Sequence, residues 1–302
     1  MEIDANNLQN LVQRQMYEDP SGGTFNMRIM LQFAQISSNS DMTEDERASL
    51  FDLLHVIALK FAAIWGHDQR YKTRENEMIA ECEAKPTDRR KNEPMRFKSG
   101  QELYIEFDGF LVQCKSVLDH MVVILHYTLG VQFSSLGTFG DNGNKTIKIL
   151  TPKNISANPM VRREAAKLLI DHIEKNQDWL KGMINTRDRM NHFTSGGIPP
   201  MSFGVASIIE KDGVQTLHRP RMSKDMTVKE YMTSTVDSVL FFIERFIGLA
   251  MFTRLPRYAI QYKHSEDPKA MRWNLIPAAL MQQLIDSAQI DPSKIVRGAP
   301  DK

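Results

Sequence analysis

The chain has 302 residues, 42% hydrophobic and 25% charged, with a formal net charge of +1. That length can bury a substantial core, but the near-neutral balance excludes a global basic field for non-specific nucleic-acid binding, so any RNA or DNA contact must be local. The two cysteines, Cys82 and Cys114, lack metal-ligand or CxxC spacing and are too few for a secreted disulfide framework, which points to a reducing cytoplasm.

Residues 1 to 42 are expected to be an N-terminal arm. The arm is polar, with a Pro20-Ser21-Gly22-Gly23 break and one short apolar patch at Ile29, Met30, Leu31 and Phe33 that packs on the main body. Its start lacks the basic and apolar runs of a signal peptide. The most hydrophobic windows of the chain are interrupted by Asp119-His120 and Glu244-Arg245, so a soluble protein without a membrane partner is expected.

Thr43 and Glu46 have capping-box spacing, and the acidic first turn complements the helix dipole. Leu50, Leu53, Leu54, Ile57, Ala58 and Phe61 then recur at three- and four-residue intervals, a helical stripe that weakens toward Ala84. Lys85 to Pro94 is a charged, proline-flanked connector whose basic triplet is read as solvated loop. A second capping box, Ser99 with Glu102, opens the strongest helix, whose core face runs from Leu103 through Phe107, Phe110, Cys114 and Val117 to Leu125. Gln113, Ser116 and His120 share another face of it, beside Asp119.

Gly130 to Asn144 is expected to be a loop, without the GxxxxGK[ST] pattern that cradles phosphate. Asn158-Pro159 places a cap before a helix that carries Val161, Ala165, Leu168, Leu169 and Ile173 inward. That helix leads into Trp179, Leu180, Met183 and Ile184, then Arg187-Asp188-Arg189-Met190-Asn191-His192, with Gly196-Gly197 and Pro199-Pro200 as the stop. Lys211-Asp212-Gly213 between two apolar runs predicts a β-hairpin, the one β element expected. A third capping box, Thr227 with Glu230, starts a long helix that ends before Pro256, and the tail holds one short helix, Ala278 to Ala288.

Arg187 and His192 are the pair that suggests chemistry, a fixed cation beside a group that exchanges protons near neutral pH. The competing account is that Arg187, Arg189 and His192 complement the carbonyl end of a helix dipole. Metal chemistry has little support: there is no HExxH, and Asp119-His120 and Asp171-His172 lack a third ligand at metal-site spacing. No metal or cofactor is expected.

The segment Glu106 to His120, taken with Arg187-Asp188-Arg189-Met190-Asn191-His192, resembles the HEPN superfamily, whose signature is an Arg, four to six residues, then a His. The match includes a polar residue directly after the Arg, here Asp188, although Gly196 comes later than the family pattern. Arg257 and His264 satisfy the loosest form of the spacing too, but follow Pro256 and lack a helical frame.

The resemblance implies an all-α fold, an HEPN-like helical bundle over residues 43 to 252 with a small β-hairpin insertion at about 201 to 222. Residues 253 to 302 form a C-terminal tail outside it. It also implies a homodimer in which two motifs face each other as a metal-independent endoribonuclease with RNA as substrate. Many such proteins serve in toxin–antitoxin or antiviral defence systems, so an antitoxin or defence-system partner is expected. In this scheme Arg187 and His192 are catalytic, Asp188 and Asn191 support them, and Arg189 binds RNA. The alternative is a non-catalytic HEPN-like dimer that binds nucleotide, RNA or a partner protein as sensor or antitoxin.

Overall fold

The computed structural model describes residues 21–83, 95–132, 139–151, 155, 160–192, 200–209, 215–287 and 295–297. Among these the chain is mainly helical with small antiparallel sheets. Residue contacts divide it into two compact units, both discontinuous in sequence. Unit 1 joins Met1–Ala62, Lys115–Leu180 and Leu240–Lys302, and unit 2 joins Ala63–Cys114 and Lys181–Val239.

The first helix, α1, opens as a π-helical turn (Asn26–Leu31) and continues as an α-helix (Gln32–Ser38). Ile29, Met30, Phe33 and Ile36 are buried, and Phe25 stacks on Phe61 at 5.2 Å. The apolar patch of the arm is therefore the inward face of a helix. The next, α2 (Glu44–Glu83), runs for 40 residues. Its capping box forms: Thr43 N–H donates to Glu46 Oε2 at 2.8 Å, and Glu46 N–H to Thr43 Oγ1 at 3.2 Å. Arg254 secures this end by donating to Asp41 Oδ1 (2.6 Å), Glu46 Oε2 (2.8 Å) and the Tyr127 carbonyl (2.6 Å). Its guanidinium is the foremost reason that the Glu46 carboxyl is held below the usual range.

Although the interrupted hydrophobic windows argue against a membrane span, α2 contains an 18-residue window of mean hydropathy 1.6, long and apolar enough to cross a membrane by length and composition. A third of that window, 33%, is buried within the protein, including Leu50, Leu54, Ile57 and Phe61.

Strand β1 (Met95–Lys98) follows, then α3 (Gln101–Val122) and α4 (Ile124–Leu129), which stops at Gly130 in the left-handed region (φ 66°). The expected Ser99–Glu102 box is superseded, because Glu102 pairs with Arg74 of α2 instead. The glycine-rich segment is not wholly loop: a 3-10 turn at Asp141–Gly143 leads into the short α5 (Asn144–Ile149). Helix α6 (Met160–Lys175) is separated from α7 (Gln177–His192) by Asn176, whose side-chain amide donates to the His172 carbonyl at 2.8 Å. The Asn158-Pro159 cap lies outside the described residues.

Strands β2 (Val205–Ile209) and β3 (Gln215–His218) pair antiparallel with Ile209 opposite Gln215, and the turn Lys211-Asp212-Gly213 lies outside the described residues. On the other side of β2, β1 pairs with Met95 opposite Ile208. β4 (Arg221–Ser223) and β5 (Met226–Thr227) form a small ribbon before α8 (Val228–Met251). The Thr227–Glu230 box forms as expected, with Thr227 N–H to Glu230 Oε2 at 2.8 Å and Glu230 N–H to Thr227 Oγ1 at 3.2 Å.

Beyond α8 the expectation of a single short helix is corrected. β6 (Tyr258–Tyr262), β7 (Trp273–Pro277) and β8 (Ile295–Arg297) make an antiparallel sheet in the order β7-β6-β8, with α9 (Ala278–Asp286) between β7 and β8. With the three small sheets, the fold is mainly α rather than all α.

Unit 1 also holds a buried ionic network. Glu244 of α8, 0% exposed, accepts from Arg28 and from Gln32 Nε2 (3.1 Å). The other end of the Gln32 amide accepts from the Trp273 N–H at 3.0 Å, and the Trp273 indole donates to the Glu244 carbonyl at 3.2 Å. Gly248, one turn after Glu244, leaves room for that indole, since a Cβ there would come within 2.3 Å of the ring. Both Glu244 carboxylate oxygens and both ends of the Gln32 amide thus have partners, which low-dielectric burial demands.

Candidate functional site

Arg187, Asp188, Arg189, Asn191 and His192 all fall on the last turns of α7. Met183, Ile184 and Met190 are buried and fix the face that turns inward. Arg187 is half-buried (30% side-chain exposure), and its Nη1 donates to Asp188 Oδ1 at 2.7 Å. Arg189 is exposed. The side chains of Asn191 and His192 lie outside the described residues, as do Gly196-Gly197 and Pro199. The helical path is continuous from Arg187 to His192. Five positions on such a helix correspond to about 140° of rotation and about 7.5 Å of rise, so the two positions lie on different sides of the helix axis.

The motif helix is supported from within unit 2. The Tyr231 hydroxyl of α8 lies beside Thr235 and Thr186, one residue before Arg187, and burial pushes its phenol up to about 12. The Phe107 ring of α3 sits 6.0 Å from Tyr231 and 5.5 Å from Phe203, in the turn that follows the motif segment. Gly100 makes that turn's approach feasible, because a Cβ there would come within 1.8 Å of the Phe203 carbonyl oxygen.

Among the other polar groups picked out by sequence, His120, Asp119 and His172 have structural duties. His120 Nδ1 donates to the Ser116 carbonyl at 2.7 Å, and Asp119 pairs with Lys115 at 2.5 Å while accepting the Phe139 N–H at 2.6 Å. His172 is buried, donates from Nε2 to the Phe242 carbonyl at 3.0 Å and stacks on the Phe242 ring at 4.7 Å. Burial lowers its pKa to about 4, so it is a neutral core histidine. Arg257 and His264 bracket strand β6, without the helical frame of Arg187 and His192.

One constellation escaped the sequence reading. His67 of α2 lies over Gly109 of α3, where a Cβ would come within 2.4 Å of the ring, and its Nδ1 is 2.7 Å from Glu106 Oε2. Arg70 Nε donates to both Glu106 oxygens at 3.0 Å. Burial acts to raise the Glu106 carboxyl, but Arg70 and His67 together outweigh it and hold the pKa below the usual range. Arg70 Nη2 is also 3.0 Å from His67 Nδ1, which cannot accept from it while donating to Glu106. The shorter carboxylate contact assigns the proton to Nδ1. An open cavity of about 480 Å³ adjoins this cluster, lined by Arg70, Arg74, Glu77, Glu102, Ile105 and Glu106 among others. No signal of spacing within one helix links His67 to Glu106, 39 residues apart.

No family model, curated protein or solved structure matches the chain.

Proposed function

We propose that the protein is a metal-independent endoribonuclease of HEPN type, acting in the cytoplasm as a homodimer and serving as a toxin or antiviral defence component. The observation that carries this reading is the continuous helical frame of Arg187-Asp188-Arg189-Met190-Asn191-His192 at the end of α7, with its apolar side buried. In the proposed reaction His192 exchanges a proton with the RNA 2′-hydroxyl or the departing 5′-oxygen, as suits an imidazole at neutral pH. Arg187 stabilises the charge that builds on the phosphoryl oxygens through its donor fork. Because the two residues diverge around one helix, a second copy completes the site, which makes dimerisation part of the mechanism. Asp188 orients Arg187 through the 2.7 Å contact, Asn191 supports His192, and Arg189 holds phosphate.

The test is incubation of parent, Arg187→Ala and His192→Ala proteins with defined RNAs in the presence of a chelator, with the ends mapped. Each variant should stay folded and lose about 10²- to 10⁴-fold in cleavage rate. Folded variants that cut as the parent does sink the proposal. The Asp188 contact also favours a second reading, since it partly neutralises the Arg187 guanidinium. In that reading the protein is a non-catalytic dimer that binds RNA, nucleotide or a partner protein, and the purified parent binds RNA without cutting it.

A further inference from the structure

A buried carboxylate without a partner stands apart from everything the proposed reaction uses. Glu75, toward the C-terminal end of α2 in unit 2, is 0% exposed, and neither of its carboxylate oxygens has a hydrogen-bond partner among the described residues. The Tyr71 hydroxyl, one turn earlier on the same face, is equally buried and equally alone. Asp68, a further turn back, is 2% exposed and engages Lys72 and Gln69 through Oδ2, while its Oδ1 has no partner.

The element that faces this seam is the start of α8 with the ribbon before it. Lys229 Nζ donates to Asn76 Oδ1 at 3.4 Å, Glu75 feels the charges of Arg219, Lys229 and Glu230, and Asp68 feels that of Asp237. Positions 76 with 229, 75 with 230 and 68 with 237 define an antiparallel run of α2 along α8. Arg219 is exposed, Lys229 is half-buried, and the Val228 N–H donates to the Pro220 carbonyl at 3.0 Å, which closes the ribbon onto the helix start. Two cations are thus close enough to act on Glu75 electrostatically, yet neither is bonded to it.

A bare carboxylate in such a place is costly, and the group has two ways out: to keep a proton or to recruit a cation. We propose that Glu75 is a proton-operated clasp between the C-terminal part of α2 and the Arg219–Glu230 segment. With its proton on, Glu75 lies neutral in the seam and the segment packs as described. When the proton leaves for solvent, the bare carboxylate is no longer tolerated in the dry seam, and the ribbon opens so that Glu75 meets water and the Arg219 and Lys229 cations. Burial is the main cause that raises the Glu75 carboxyl above the usual range, Arg219 and Lys229 oppose it, and Glu230 adds to it. A raised carboxyl contributes stability that is complete below the unfolded-state pKa and is lost as pH rises through the folded-state value. The clasp therefore tightens in acid and loosens as pH rises through the Glu75 titration, independently of any action on RNA.

The experiment uses the full chain. Amide hydrogen exchange of residues 219 to 230, corrected for intrinsic rates, is followed from pH 4 upward, together with the ¹³C titration of the glutamate carboxyls. In the parent the local opening equilibrium should rise by up to about tenfold per pH unit over the Glu75 titration, the slope of one proton. Glu75→Gln should abolish that slope. The double substitution Arg219→Met with Lys229→Met should move the Glu75 midpoint upward, and this arm serves even where Glu75→Gln does not fold. A Glu75 carboxyl that titrates in the ordinary range, a midpoint unmoved by loss of both cations, or an unchanged slope in Glu75→Gln overturns the proposal.

Discussion

Glu244 and Glu75 are both buried to 0% exposure on long helices, and they have opposite surroundings. Glu244 is met by Arg28 and Gln32, with Arg272 4.0 Å away, whereas the Glu75 oxygens have no hydrogen-bond partner among the described residues. The same side chain at the same depth is a fixed ionic joint in one region and a lone carboxyl in the other. What separates them is whether the rest of the fold brings a cation into bonding distance.

The strongest way to break the contrast is to give Glu244 the fate of Glu75. Arg28→Ala leaves a buried carboxylate unpaired and should cost about 3–5 kcal/mol in urea unfolding, while Arg28→Ala with Glu244→Leu should recover much of that loss. A shift of the urea midpoint no larger than that of a surface substitution would mean the ion pair carries little.

His172 sharpens the contrast from the acid side. Its pKa, lowered from 6.5 to about 4, adds stability that is present above pH 6.5 and lost as pH falls toward 4. At about 1.4 kcal/mol per unit this amounts to roughly 3 kcal/mol. The difference in unfolding free energy between parent and His172→Phe should change by that amount across the window and stay flat above it.

A smaller loss, about 1–3 kcal/mol, is expected for Gln32→Leu, which strips the Trp273 N–H of its acceptor and Glu244 of a donor. The smallest effect has the opposite sign. Tyr71→Phe removes a buried hydroxyl that has no partner, so thermal unfolding should show a gain of up to about 1 kcal/mol. A clear loss there would show that the hydroxyl is engaged after all.

Features coded within a few residues were legible in the sequence. Thr43 with Glu46 and Thr227 with Glu230 close as capping boxes, since both partners lie within one helical turn. Ser99 with Glu102 has the same spacing, but Arg74 from another helix claims Glu102, and no local pattern announces that competitor. Glu244 reads in sequence only as an interruption of an apolar run, because its partners Arg28 and Gln32 lie more than two hundred residues away. The β6, β7 and β8 strands were missed for a related reason: pairing β6 with β8 spans some thirty-five residues, with α9 between. At the candidate site, the placement of Arg187 to His192 at a helix end followed from periodicity, and the Asp188 contact from adjacency. The His67–Glu106–Arg70 cluster did not, since two helices must first be laid side by side.

The Arg28–Glu244 pair also bears on how the chain is made. The two residues are 216 positions apart, and a ribosome adds about 5–20 residues per second. Arg28 therefore emerges roughly 10–40 s before the carboxylate that neutralises it. During that interval the apolar face of α1 (Ile29, Met30, Phe33, Ile36) lacks the C-terminal segments that complete unit 1. Closure of unit 1 around α1 therefore waits on synthesis of α8.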